Sequence, residues 1–133
     1  MTTVPNQFPI NDSSLRLALV GESPGTDETR EGQPFVGKSG RFLNILLSRA
    51  GTSRESCFVG NLCQVQPERN EIASFEWMGD EIQSGIQQLK KDLEAYKPNI
   101  IVALGGSSLH LLKKITRIEG KNFVSKSVIF LFF

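Results

Sequence analysis

Residues 81–106 read EIQSGIQQLKKDLEAYKPNIIVALGG, and this stretch decides the fold class. Ile82, Ile86, Leu89 and Leu93 recur at helical spacing, so residues 81–96 predict an amphipathic helix with one apolar face. Lys97-Pro98 ends it, because the residue before a proline is driven out of helical geometry. The chain then runs Ile100-Ile101-Val102-Ala103-Leu104 and stops at Gly105-Gly106. A short, unbroken apolar run between turn residues predicts a strand buried on both faces, the kind found in parallel sheets.

The flanking sequence repeats this alternation. Residues 15–20 are a second apolar run, broken only by Arg16 and ended by Gly21. Ser39 reads as an N-cap, followed by Phe42, Leu43, Leu46, Leu47 and Ala50 at helical spacing, with Gly51 at the C-terminal cap. Residues 57–65 are strand-like through Phe58 and Val59, and residues 66–79 are irregular. Ser107 or Ser108 caps a helix reaching Lys114, and residues 127–133 are a last apolar run. Apolar strands alternating with helices predict a three-layer α/β/α domain with a central parallel four-stranded sheet. Residues 1–14, polar and carrying Pro5 and Pro9, are expected to be a flexible lead-in to a domain over residues 15–133.

Between the first strand and the first helix lies the stretch 21–40, without periodicity and punctuated by Pro24, Gly25, Gly32, Pro34 and Gly37. Long ordered loops in compact domains usually carry function. In parallel sheets ligands bind at the carboxyl ends of the strands, the edge where this loop, residues 66–79 and the Gly105-Gly106 turn all fall.

Composition narrows the classes. With 133 residues, 39% hydrophobic and 22% charged, the chain is sized for one globular domain. A net charge of +1 gives no global field, so a nucleic-acid partner must be held by a local patch. Two cysteines, Cys57 and Cys63, and a lone histidine, His110, suggest neither a disulfide framework nor a metal site. No apolar run reaches membrane-spanning length, and the start lacks a signal pattern, so a cytoplasmic monomer without a membrane partner is expected.

One motif is refused. Residues 32–39, from Gly32 through Gly37-Lys38-Ser39, satisfy the phosphate-loop pattern letter for letter. A phosphate loop follows directly on a buried strand, whereas here the strand ends at Val20. Pro34 removes a backbone N–H from a loop that works by offering them. No later apolar strand ends in a magnesium-binding Asp.

The remaining motifs form an ordered set: Gly21-Glu22-Ser23-Pro24-Gly25, then Pro34-Phe35-Val36-Gly37, then a strand bearing Asn61, then Lys97-Pro98-Asn99-Ile100-Ile101-Val102-Ala103-Leu104-Gly105. Together they resemble the uracil-DNA glycosylase superfamily, most closely its family 4 type, over residues 15–115. The resemblance implies a DNA repair hydrolase that cleaves the N-glycosidic bond of uracil, or a related deaminated base, in DNA.

The residues suit that chemistry. A base acted on by an enzyme is taken out of the stack into a pocket. Phe35 would stack on it, a contact worth about 1–3 kcal/mol; the alternative is a Phe filling core beneath the loop. A side-chain amide tells uracil from cytosine by offering a donor beside an acceptor. Alone, Asn61 reads as a strand-end residue capping a turn; within the resemblance it recognises the base. Glu22, directly after the first strand, is the catalytic candidate, stabilising positive charge on the sugar and orienting water. Asp27 and Glu28 are weaker candidates and read equally as a solvated acidic loop. Gly21, Ser23 and Gly25 would line the base site, and loop N–H groups would stabilise the departing anion. Gly105, Gly106 and Ser107, with Lys38, are candidates for a DNA phosphate, against an ordinary helix cap.

Two departures stand out. Family 4 enzymes hold an iron–sulfur cluster through four cysteines; here the N-terminus has none and Val65 stands at the strand position, so no cofactor is expected. The superfamily also carries a His-Pro-Ser type motif after its fourth strand, whereas Phe133 lies within that strand, and His110 sits among leucines on a helix. The domain is thus expected to be incomplete at its C-terminus. Beside the glycosylase, a non-catalytic nucleic-acid-binding module of the same fold stays open, and a nucleotide-binding protein ranks below both.

Overall fold

The computed structural model describes residues 2–68, 79–105 and 108, together with the backbone of 127–131. The fold is α/β, a parallel sheet with helices packed on it. Strands β1 (Leu17–Gly21), β2 (Cys57–Asn61), β3 (Ile100–Leu104) and β4 (Ser127–Leu131) lie in the order β2-β1-β3-β4. Leu17 pairs with Cys57 and Ile100, and Gly21 with Asn61, so β1 and β2 end side by side.

Unbroken apolar strands need cover on both faces, and two core clusters supply it. On one face Leu89, Leu93 and Tyr96 of α3 (Asp80–Tyr96) meet Ala18, Val20, Phe58 and Ile101. On the other, Leu43 and Leu47 of α2 (Lys38–Arg49) meet Leu19, Val59 and Val102. Burying a Leu or Phe side chain contributes about 1.5–3 kcal/mol, so these faces fix the register of sheet and helices. Helix α3 ends where Lys97 takes a left-handed φ of 56° before Pro98.

Four boundaries differ from expectation. Strand β2 stops at Asn61; beyond it Leu62 and Cys63 N–H donate to Gly21 O and Glu22 O, and Val65 forms an isolated bridge with Thr3. Helix α2 is capped by Gly37, not Ser39. The stretch 21–40 is not all loop: α1 (Thr26–Glu31) forms inside it, with no buried residue and hence no apolar period to betray it. Residues 3–11 are not a free lead-in. Val4 is buried, Val4 N–H donates to Gln64 O (2.7 Å), Gln7 and Val59 exchange backbone bonds, and Phe8 packs edge-on against Phe58. This segment covers the outer edge of β2, whose backbone groups would otherwise lack partners. Most of 66–79 and nearly all of the helix expected to reach Lys114, His110 included, lie outside the described residues.

Candidate functional site

A cavity of about 280 Å³ opens at the carboxyl ends of β1, β2 and β3. Gly21 and Asn61 supply its floor from adjacent strand ends, and Leu104 and Gly105 its β3 side. Glu22, Ser23 and Gly25 follow directly on β1, and Phe35 and Ser39 complete the lining. The structure therefore brings together Gly21, Glu22, Ser23, Gly25, Phe35, Asn61 and Gly105, all named from sequence. Lys38 is the exception: it is exposed at the start of α2 and is not among the residues lining this cavity. Gly106 and Ser107 lie outside the described residues. Ser108 is no ordinary cap, since its buried hydroxyl donates to Val20 O at the end of β1 (2.7 Å).

Gly21 has to be glycine. A Cβ there would collide with the tip of the Phe35 ring and lie 2.8 Å from Asn61 Oδ1. The ring, the strand end and the amide thus converge on one spot. Asn61 is 2% exposed, and its Oδ1 is buried without a hydrogen-bond partner. Such an orphaned acceptor costs about 1–3 kcal/mol, which a ligand N–H can recover. Asn61 is itself held from behind, its backbone N–H donating to Asn6 Oδ1 (3.1 Å), while Asn6 Nδ2 donates to Asp92 of α3 (2.9 Å).

Phe35 packs partly against the α2-side core and also lines the cavity. Its φ is 54°, a left-handed backbone that costs a non-glycine residue about 1–3 kcal/mol. Three neighbours hold it there. Arg54, from the 3-10 turn before β2, donates from Nη1 to Phe35 O (2.5 Å) and from Nη2 to Pro34 O (2.6 Å). Glu28 accepts from Val36 N–H (2.8 Å) and Gly37 N–H (2.6 Å) through Oε2, and from Gly25 N–H (3.0 Å) through Oε1. Gly40 leaves room for the Phe35 carbonyl, with which a Cβ would collide.

Glu28 corrects the sequence reading twice. It is an internal staple, not a solvated acid: burial works against its charge, but the Gly37, Val36 and Gly25 N–H groups hold its carboxyl below the usual carboxylate range. It also commits three loop N–H groups, so the donors expected for a departing anion are not those of Gly25, Val36 or Gly37. The signal was in the sequence, since a Glu three residues after an N-cap marks half of a capping box. Arg54 gave no comparable signal. Burial lowers its pKa from the usual value, offset by the nearby Glu55, Cys57 and Glu28.

The staple also disposes of the phosphate-loop pattern. Val36 and Gly37 N–H already bind a carboxylate, and Lys38 is exposed and does not line the cavity. The cavity carries the carboxylates of Glu22 and Glu28 and no basic side chain among its described lining residues, a poor receptacle for a triphosphate.

The thiols do not suit an iron–sulfur cluster. Cys57 Sγ donates to Ser53 O (3.3 Å) and Cys63 Sγ to Val65 O (3.4 Å), and burial pushes both thiols up, whereas a cluster takes four thiolates. Among the described residues no helix is long and apolar enough to cross a membrane.

Comparison with known proteins agrees with this geometry. Residues 8–132 match the model of the uracil DNA glycosylase superfamily. The chain is 31% identical over 128 residues to the type-4 uracil-DNA glycosylase of Archaeoglobus fulgidus, covering 90% of this chain and 62% of that protein. It is 36% identical over 106 residues to the type-4 enzyme of Saccharolobus solfataricus (78% of this chain, 47% of that one). The type-4 enzyme of Thermotoga maritima is 34% identical over 110 residues (79% and 55%). The chain thus spans roughly half to three fifths of these relatives.

Proposed function

The chain belongs to the uracil DNA glycosylase superfamily, and on that premise we propose that it is a DNA repair glycosylase hydrolysing the N-glycosidic bond of uracil, or a related deaminated base, in DNA. It acts as a cytoplasmic monomer on uracil-containing strands. Its domain is the three-layer α/β/α arrangement of residues 15–133 around a four-stranded parallel sheet, with the segment 3–11 packed on as part of it.

The observation that carries this reading is the unpartnered, buried Oδ1 of Asn61 beside the Phe35 ring. A flipped uracil lying on Phe35 gives that oxygen its N3–H, and the Asn61 amide NH₂ donates to O4. Cytosine offers an acceptor at N3 and a donor at the exocyclic position, so both contacts fail together. Glu22, one residue beyond the strand end that carries Gly21, lines the same cavity. Its carboxylate stabilises the positive charge that builds on the sugar and orients the attacking water. Gly105, with its φ of 99°, together with Gly106 and Ser107, takes a flanking phosphate.

The test is base release from a single strand containing uracil. The reading expects release by the chain and its loss in Glu22→Ala and Asn61→Ala. Tight binding without release would convert the site into that of a binding module, and equal handling of uracil and cytosine would remove Asn61 from recognition.

A further inference from the structure

Phe35 presents its ring from a backbone conformation that phenylalanine does not adopt unaided. The segment that carries it is gripped from both sides by opposite charges. Arg54 spans the Pro34 and Phe35 carbonyls with the two arms of its guanidinium, and Glu28 spans the Val36 and Gly37 N–H groups with one oxygen. Consecutive peptide units are therefore held by a fixed cation on their acceptor side and a fixed anion on their donor side. The two grips come from unrelated parts of the chain, the turn before β2 and helix α1. Neither hydrogen-bonds the rest of the cavity wall through these atoms; what they hold in common is residues 34–37.

We propose that Arg54 and Glu28 are positioning residues, a two-sided clamp that locks Phe35 in its left-handed backbone so that the ring stands ready as the wall on which the base lies. The proposal rests on the stacking role given to Phe35 above. The fork geometry makes a specific demand: two carbonyls are reached from two separate nitrogens at a fixed planar spacing, which a guanidinium supplies and the single nitrogen of an ammonium does not. Lysine at this position keeps the charge and loses one of the two contacts.

The experiment is a double-mutant cycle on binding. The probe is a single-stranded oligonucleotide carrying one 2′-fluorinated deoxyuridine, whose glycosidic bond resists cleavage, compared with the same strand bearing an abasic position. Phe35→Ala is expected to weaken uracil-dependent binding by about 5- to 150-fold, the range of a base–aromatic stack. Arg54→Ala is expected to lose about 5-fold or more, and the double variant to be no worse than Phe35→Ala alone, because Arg54 acts only through that ring. Ethylguanidinium added to Arg54→Ala restores binding, ethylammonium does not, and neither helps Phe35→Ala. If Arg54→Ala fails to fold, Arg54→Lys passes through the same cycle with a partial loss. Losses that add in the double variant, or Arg54 variants that bind as tightly as the parent, overturn the clamp. Unchanged binding by Phe35→Ala instead removes the stacking role itself, and the two failures are thereby told apart.

Discussion

Replacing Asn61 by leucine separates function from stability. The side chain is 2% exposed, and its Oδ1 has no partner in the folded chain. Folding therefore leaves an acceptor stripped of water, at a cost of about 1–3 kcal/mol. Leucine keeps the branched outline of asparagine, with greater bulk, and removes that cost. Some of the gain is offset, because the new methyl groups lie near Gly21 and the Phe35 ring tip, where space is tight. A net gain of about 1 kcal/mol is expected, which for a domain of this size is a rise in thermal midpoint of roughly 3–5 °C. Uracil release should fall about 100-fold, the equivalent of about 2.7 kcal/mol of transition-state stabilisation. Thermal melts followed by circular dichroism, beside release kinetics on a uracil-containing strand, read both quantities. A clear drop in midpoint would show that the amide is a structural group already satisfied in the fold, and the recognition argument would collapse with it.

Other expectations follow from the same geometry. Glu22→Gln should slow release about 10²- to 10⁴-fold while binding of the cleavage-resistant strand changes little, as removal of a group acting on the sugar requires; equal loss of binding would make Glu22 a scaffold residue. Glu28 carries a folded-state pKa below its ordinary 4.5. Its contribution to stability is thus complete above that value and is lost as pH falls through the lower folded value. The thermal midpoint of the parent should drop on acidification below about 4.5, and Glu28→Gln should start lower and show a flatter profile; identical pH profiles would refute the staple. Lys38→Ala should leave release within about twofold, since surface substitutions away from a site are near neutral. Magnesium-dependent nucleotide binding that vanished in this variant would revive the phosphate loop.

What the sequence disclosed, it disclosed through burial. Residues 100–104 and 17–20 are apolar without alternation because both faces of the sheet are covered, and the period of Ile86, Leu89 and Leu93 marks the face of α3 that covers one of them. Helix α1 buries nothing, so it left no such trace and read as loop. The attachment of residues 3–11 was hidden for a different reason. Its contacts are mostly backbone pairings with the edge of β2, which any polar sequence can make. The site divides in the same way. Gly21, Phe35 and Asn61 could be singled out because they fall in ordered motifs that carry the family resemblance; taken alone, Asn61 reads as a strand-end cap. Arg54 could not, because its role lies in two carbonyls nineteen and twenty residues away, and nothing local in the sequence points to them.

The central claim is that Asn61 and Phe35 together form a uracil-selective pocket, and it is tested most directly by titrating the chain with the free bases while following the Asn61 side-chain amide and the Phe35 ring by NMR. Uracil should move both sets of signals at one common saturation point, with the Asn61 amide protons shifting as its oxygen gains the N3–H bond, and cytosine at the same concentrations should move neither. Movement of both by cytosine, or silence of the Asn61 amide when uracil binds, would contradict the account.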